Sequence, residues 1–104
     1  DRLKYEKGVV SNVDSAIAAE TKALAIAEQA DPCGLRVFNG LRSLAALHNI
    51  KGLKTESAGF YERALAIARQ NPDCDAGLIV VDLAALYRDL GRTAEAEALV
   101  QPRS

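Results

Sequence analysis

Ala23-Leu24-Ala25-Ile26-Ala27 recurs unchanged as Ala64-Leu65-Ala66-Ile67-Ala68, 41 positions further along the chain. Gln29 and Gln70, and Cys33 and Cys74, keep the same offset. A second block, Leu44-Ala45-Ala46-Leu47, returns as Leu83-Ala84-Ala85-Leu86 after 39 positions, with Gly52 answering to Gly91 and Glu56 to Glu95. Similarity at a fixed period of this size marks stacked supersecondary units, none of which can bury its apolar face alone. The two offsets differ by two residues. The length change therefore falls between each Cys and the following Leu-Ala-Ala-Leu, a loop or helix start where insertions cost least.

The residues around these blocks punctuate helices. Asp31-Pro32-Cys33-Gly34 and Asn71-Pro72-Asp73-Cys74-Asp75 stop one helix and prepare the next. Gly52 and Gly91 suit the left-handed residue that closes a helix, and Thr55 and Thr93 read as N-caps with a Glu in the following turn. Six helices are predicted, over about 2–9, 13–30, 35–51, 55–70, 75–90 and 93–100. Apolar residues within them fall at helical spacing, as in Val80, Leu83, Tyr87 and Leu90. Short connections should fold consecutive helices back on one another. The apolar residues agree: they are mostly Ala and Leu, with two Phe, three Tyr and neither Trp nor Met. Ala and Leu favour helix over strand, and small Ala side chains let helix axes approach. The fold class expected is all-α, with antiparallel hairpins stacked as an α-solenoid. The 104 residues suit a single domain. Its units run over about 1–31, 35–72 and 75–101, two complete and the first partial, so about 2.5–3 repeats in all.

Thirteen basic and fourteen acidic residues leave a net charge of −1. That balance opposes a nucleic-acid surface, which needs clustered cations to displace phosphate counterions. No apolar run has the length of a membrane span, so no membrane insertion is expected. The chain begins at Asp1 rather than Met and is expected to be a segment of a longer protein. No compartment is assigned beyond a slight preference for the cytoplasm. No nucleophile–base pair, phosphate-binding glycine loop or metal-ligand spacing stands out, so neither catalysis, metal nor cofactor is expected. His48, the only histidine, is equivalent to Tyr87 and reads as a filler between paired helices.

Leu83-Ala84-Ala85-Leu86-Tyr87, Gly91, Ala94-Glu95-Ala96 and Val100 together resemble the tetratricopeptide motif. The preceding unit shows it as Leu44-Ala45, His48, Gly52, Ser57, Tyr61, Ala64-Leu65 and Pro72, and a partial unit as Ala16, Ala23 and Leu24. The spacing exceeds the usual ~34 residues and is closer to the longer, kinesin-light-chain style of repeat. The resemblance implies that Ala45, Ala84, Ala64 and Ala96 sit where helices cross. It implies a scaffold that holds a peptide or helix of a partner protein in a concave groove. The groove residues implied are Asn39, Arg42, Ala46 and Asn49 in one unit and Leu78, Val81, Ala85 and Arg88 in the next. Arg42, Arg88 and Asn49 are its polar markers, suited to a ligand with acidic and apolar side chains. The clamp by which some members grip a terminal carboxylate is not matched, because Ala46 replaces its Asn and Asp82 stands where a cation is wanted.

The alternative is a self-assembly or regulatory module, its groove or open ends filled by its own chain or another copy. The last helix carries Ala94, Ala98, Leu99 and Val100, an apolar flank with nothing in sequence to cover it, and so a candidate homo-oligomer surface. Cys33 and Cys74 occupy equivalent turns. Adjacent hairpins stack about 9–10 Å apart and a disulfide needs Cα atoms within about 7 Å, so two free thiols are expected, a bridge remaining possible if the turns lean together.

Overall fold

The computed structural model describes the backbone of residues 2–100 and the side chains of residues 12–100. Among these residues the chain is all-helical: α1 (Arg2–Ala30), α2 (Leu35–Ile50), α3 (Lys54–Gln70), α4 (Ala76–Asp89) and α5 (Thr93–Val100). The expected break between residues 9 and 13 is absent, so α1 replaces two of the six predicted helices. Ser11 and Asn12 are indifferent helix formers, but neither they nor Gly8 block the backbone as a proline would, and no proline is present there.

The two glycine stops behave alike. Gly52 has φ +84° and Gly91 φ +78°, a region open to glycine at little cost. After α2, the Gly52 and Leu53 amides donate to Asn49 and His48 carbonyls at 3.0 and 2.9 Å. After α4, the Gly91 and Arg92 amides donate to Arg88 and Tyr87 carbonyls at 3.1 and 2.7 Å. Both are Schellman closures, placed 39 residues apart. The tightness of these turns displaces the expected caps. The carbonyls of Leu53 and Arg92 accept the first bonds of α3 and α5, from Ser57 and Ala96. Thr55 and Thr93 thus lie inside the first turn rather than at the cap. Asp75 does cap α4, its Oδ1 accepting from the Gly77 amide at 2.9 Å.

Each helix packs chiefly on its neighbours in chain order, α1 on α2, α2 on α3, α3 on α4 and α4 on α5. The core follows this line, with Phe38, Leu41, Leu44, Ile79 and Leu83 almost wholly enclosed. Ala45, Ala64, Ala84 and Ala96 are each 0–1% exposed. A larger side chain there would force the axes apart. Ser57, equally buried, donates its hydroxyl to the Ala45 carbonyl at 2.6 Å. The equivalent position one unit on is Ala96, which has no polar group to satisfy. His48 is half-buried, its Nδ1 2.7 Å from the Leu44 carbonyl and its ring 4.8 Å from that of Phe60.

The two proline turns touch: Asn71 Nδ2 donates to the Cys33 carbonyl at 3.0 Å and the Cys33 thiol donates to Gln70 Oε1 at 3.3 Å. Even so, both cysteines are free. Cys33 is exposed, whereas Cys74 is buried, and its burial together with the charge of Asp73 pushes the thiol pKa up. Reactivity follows the accessible thiolate. A neutral-pH alkylating agent should therefore add one mass increment to the native chain, at Cys33, and a second only in denaturant. Equal labelling of both thiols in the native chain would contradict this packing.

Candidate partner-binding groove

The exposed side of α2 carries Asn39, Arg42, Ser43, Ala46, Asn49 and Ile50, spaced three and four apart so that they share one face. The facing side of α4 carries Asp82, Ala85, Leu86 and Asp89, spaced in the same way. Between the two helices, Tyr61 of α3 rises as a floor, only 6% exposed. The result is a groove in two adjoining compartments of about 280 and 270 Å³ that share Ala46, Tyr61 and Asp82. The space exists because Ala46 and Ala85 have no side chain beyond Cβ.

The groove is electrically asymmetric. The α4 wall has two carboxylates. Asp89 is engaged by Lys54 at 2.9 Å, an exposed pair of little net strength. Asp82 accepts a long hydrogen bond of 3.4 Å from the Tyr61 hydroxyl. On the α2 wall, the Arg42 guanidinium lies 5.8 Å from the centre of the Phe38 ring. Burial pushes the Tyr61 phenol pKa up, the charge of Asp82 and the hydrogen bond to it add to the rise, and Arg42 opposes it. At neutral pH the floor therefore presents a protonated phenol able to donate.

Of the eight groove residues expected from sequence, Asn39, Arg42, Ala46, Asn49 and Ala85 line these compartments. Leu78, Val81 and Arg88 are exposed on α4 outside its lining residues, Leu78 at 46% and Val81 at 68%. Of the α2 lining residues, Ser43, Ala46 and Ile50 have counterparts 39 positions on that also line the groove, Asp82, Ala85 and Asp89, whereas the counterparts of Asn39, Arg42 and Asn49 lie outside it. The reason is geometric. Val81 and Arg88 precede Asp82 and Asp89 by one position, about 100° around the helix. Tyr61, Ser43, Ile50, Asp82, Leu86 and Asp89 were not among the expected groove residues. The i, i+7 pair Asp82 and Asp89 was a legible signal of an acidic face. On α5, Leu99 is packed against the core, while Ala94, Ala98 and Val100 are exposed; the flank is thus narrower than expected.

A second charged cluster lies at the α4–α5 turn. Arg92 pairs with both carboxylate oxygens of Glu95, at 2.8 and 2.7 Å, and stacks 4.2 Å from the centre of the Tyr87 ring. The Tyr87 hydroxyl donates to Glu62. Its pKa is pushed up to about 12, first by burial, then by that hydrogen bond and the Glu62 charge, with Arg92 opposing. The folded chain thus holds this proton more tightly than the unfolded chain, whose tyrosines titrate near ~10. The stability contributed by the contact is intact below about pH 10 and is lost as the pH rises through about 12. Tyr61 shifts in the same direction. Melting temperatures from pH 8 to 12 should fall across this window, and Tyr87→Phe should make the fall shallower. An unchanged slope in Tyr87→Phe would remove Tyr87 from the account.

Among the described residues there is no group of three or more His, Cys, Asp or Glu side chains placed to hold a metal ion, and no helix long and apolar enough to cross a membrane. No protein-family model, curated protein sequence or solved structure matches this chain.

Proposed function

We propose that this chain is a helical-repeat module of the tetratricopeptide type, stacked as an α-solenoid, that holds a peptide or helix of a partner protein between α2 and α4. The observation that carries the reading is the pair Ala46 and Ala85 facing each other across Tyr61, which leaves room for side chains between two walls of defined charge. Grooves of this kind bind through a few anchor side chains and polar groups that set their register. The aliphatic Ile50 and the two alanines accept apolar anchors. Asp82 and Asp89 favour a Lys or Arg on the α4 side, and Arg42 and Asn39 favour a carbonyl or carboxylate on the α2 side. The ligand is therefore mixed in charge rather than acidic throughout. Binding is the reading, since burial and the Asp82 charge keep the Tyr61 phenol protonated at neutral pH, where it serves as a hydrogen-bond donor.

The test is selection of a displayed random-peptide library on the immobilised chain, followed by titration of the enriched sequence. A basic residue set three or four positions from an apolar one should emerge, with affinity that weakens as salt rises. Failure of any sequence to enrich, or enrichment of one that binds an Asp82→Lys variant equally well, would overturn the proposal.

A further inference from the structure

A cleft of about 460 Å³ lies between α1 and α2, sharing Asn39 and Ser43 with the groove but not reaching Tyr61. Its floor is apolar and shallow, built from Ala23, Leu24, Ile26, Ala27, Ala30 and Gly40, and its polar groups are Glu20, Arg36, Asn39 and Ser43. The internal repeat shows what covers such a face. Ala23, Ile26 and Ala27 of α1 correspond to Ala64, Ile67 and Ala68 of α3. Ala64 is fully buried, Ala68 is 8% exposed and Ile67 is packed against the core. In α1, Ala23 is exposed, Ala27 is half-buried and Ile26 is 70% exposed. The difference lies in the neighbours: α3 is flanked by both α2 and α4, whereas α1 packs substantially on α2 alone. One helix is missing from the α1 side, and the cleft is where it would lie.

The charges of the cleft identify the missing helix. Glu20 stands at one end, and Arg36, in the first turn of α2 just beyond Ala30, stands at the other; neither has an ion-pair partner among the described residues. Glu20 and Ala30 are ten residues apart, about 15 Å along the helix. A two-fold axis through the middle of the cleft, near Ile26, reverses this direction. It lays α1 of a second copy antiparallel in the cleft and sets Glu20 of each copy against Arg36 of the other. A surface that is complementary to itself under a two-fold rotation is what an isologous dimer requires, and Ala at the contact lets two helix axes approach closely. We infer that the α1–α2 cleft is a homodimer interface, each copy supplying its α1 as the helix the other lacks.

The proposal is distinct from the groove reading, because Ala85 belongs only to the groove and Glu20 and Arg36 only to the cleft. Molar mass is measured by sedimentation from about 1 µM to 1 mM, a range that spans weak and tight association, for the wild type, Glu20→Arg, Arg36→Glu and the double variant. Far-UV circular dichroism verifies that all four are folded. The wild type should dimerise, each single reversal should weaken the dimer about tenfold or more by placing like charges together twice, and the double variant should regain most of the affinity. An Ala85→Trp chain should dimerise as the wild type does. A wild type that stays monomeric throughout would overturn the inference and leave the cleft to a flanking segment or a foreign helix. A dimer whose double-reversal variant is as weak as the singles would equally overturn it, placing the contact on another face such as that of Ala98 and Val100.

Discussion

Phe38→Ala lowers stability by about 3–5 kcal/mol, most of what a chain of this length possesses at roughly 5–15 kcal/mol. Phe38 is 2% exposed and belongs to the core cluster that runs from Leu24 to Ala96. Truncation removes an aromatic ring from α2, the helix that packs between α1 and α3. On one side the gap cannot close easily, because α3 is held from its far side by α4. Units that stabilise one another only through nearest neighbours also transmit the damage: losing the α2 interfaces isolates α1 from the rest. Urea unfolding followed by circular dichroism should show a large drop in the midpoint. Val81→Ala, at a site 68% exposed, serves as the control and should change stability by no more than about 0.5 kcal/mol. Equal midpoint shifts for the two variants would mean that the core does not run through Phe38.

Ala85→Trp should weaken binding of a selected groove peptide by at least about tenfold, equivalent to 1.4 kcal/mol or more, with little change in stability. Ala85 is exposed on the α4 wall opposite Ala46. An indole there projects into a compartment of about 280 Å³ and occupies space that a ligand side chain would use. Because the site faces solvent, no core atom has to move, which separates a loss of binding from a loss of folding. Val81→Trp, one turn earlier on α4 and outside the residues that line the compartments, should leave the affinity within about twofold, as expected of a substitution outside the contact. Isothermal titration of both variants measures the contrast. Equal losses at positions 81 and 85 would extend the binding face beyond the lining residues to Val81, which equivalence along the repeat had included with Ala85.

Those two variants also mark how far the residues could be read in one dimension. Helix type and helix ends were legible because they are local: Ala and Leu favour helix wherever they stand, and a glycine closes a helix through bonds to carbonyls three to five residues back. The burial of Ala45, Ala64, Ala84 and Ala96 was legible too, through the motif resemblance rather than through repetition, since Ala46 and Ala85 repeat at the same offset and are exposed. The run from Gly8 to Asn12 was misread, because weak helix formers interrupt a helix only when something else competes for the backbone. The two threonine caps were misplaced by a residue or two, since a Schellman turn consumes the residues in which a cap would otherwise sit.

Sequence alone was enough to establish that this is an all-helical chain containing a duplicated pair of helices, because propensity, punctuation and repetition act within a few residues of one another. Which flank of each helix faces a groove was decided only by tertiary structure. Tyr61 became a floor and Asp82 a wall because α3 lies beneath both α2 and α4, a relation between residues 21 apart in sequence. The bare face of α1 is likewise invisible in its residues, which match those of α3 letter for letter over Ala23–Ala27. Leu24 and Leu65 are equally buried, but Ala23 and Ile26 are open where Ala64 and Ile67 are covered, because burial depends on how many neighbours a helix has: α3 packs on both α2 and α4, α1 chiefly on α2.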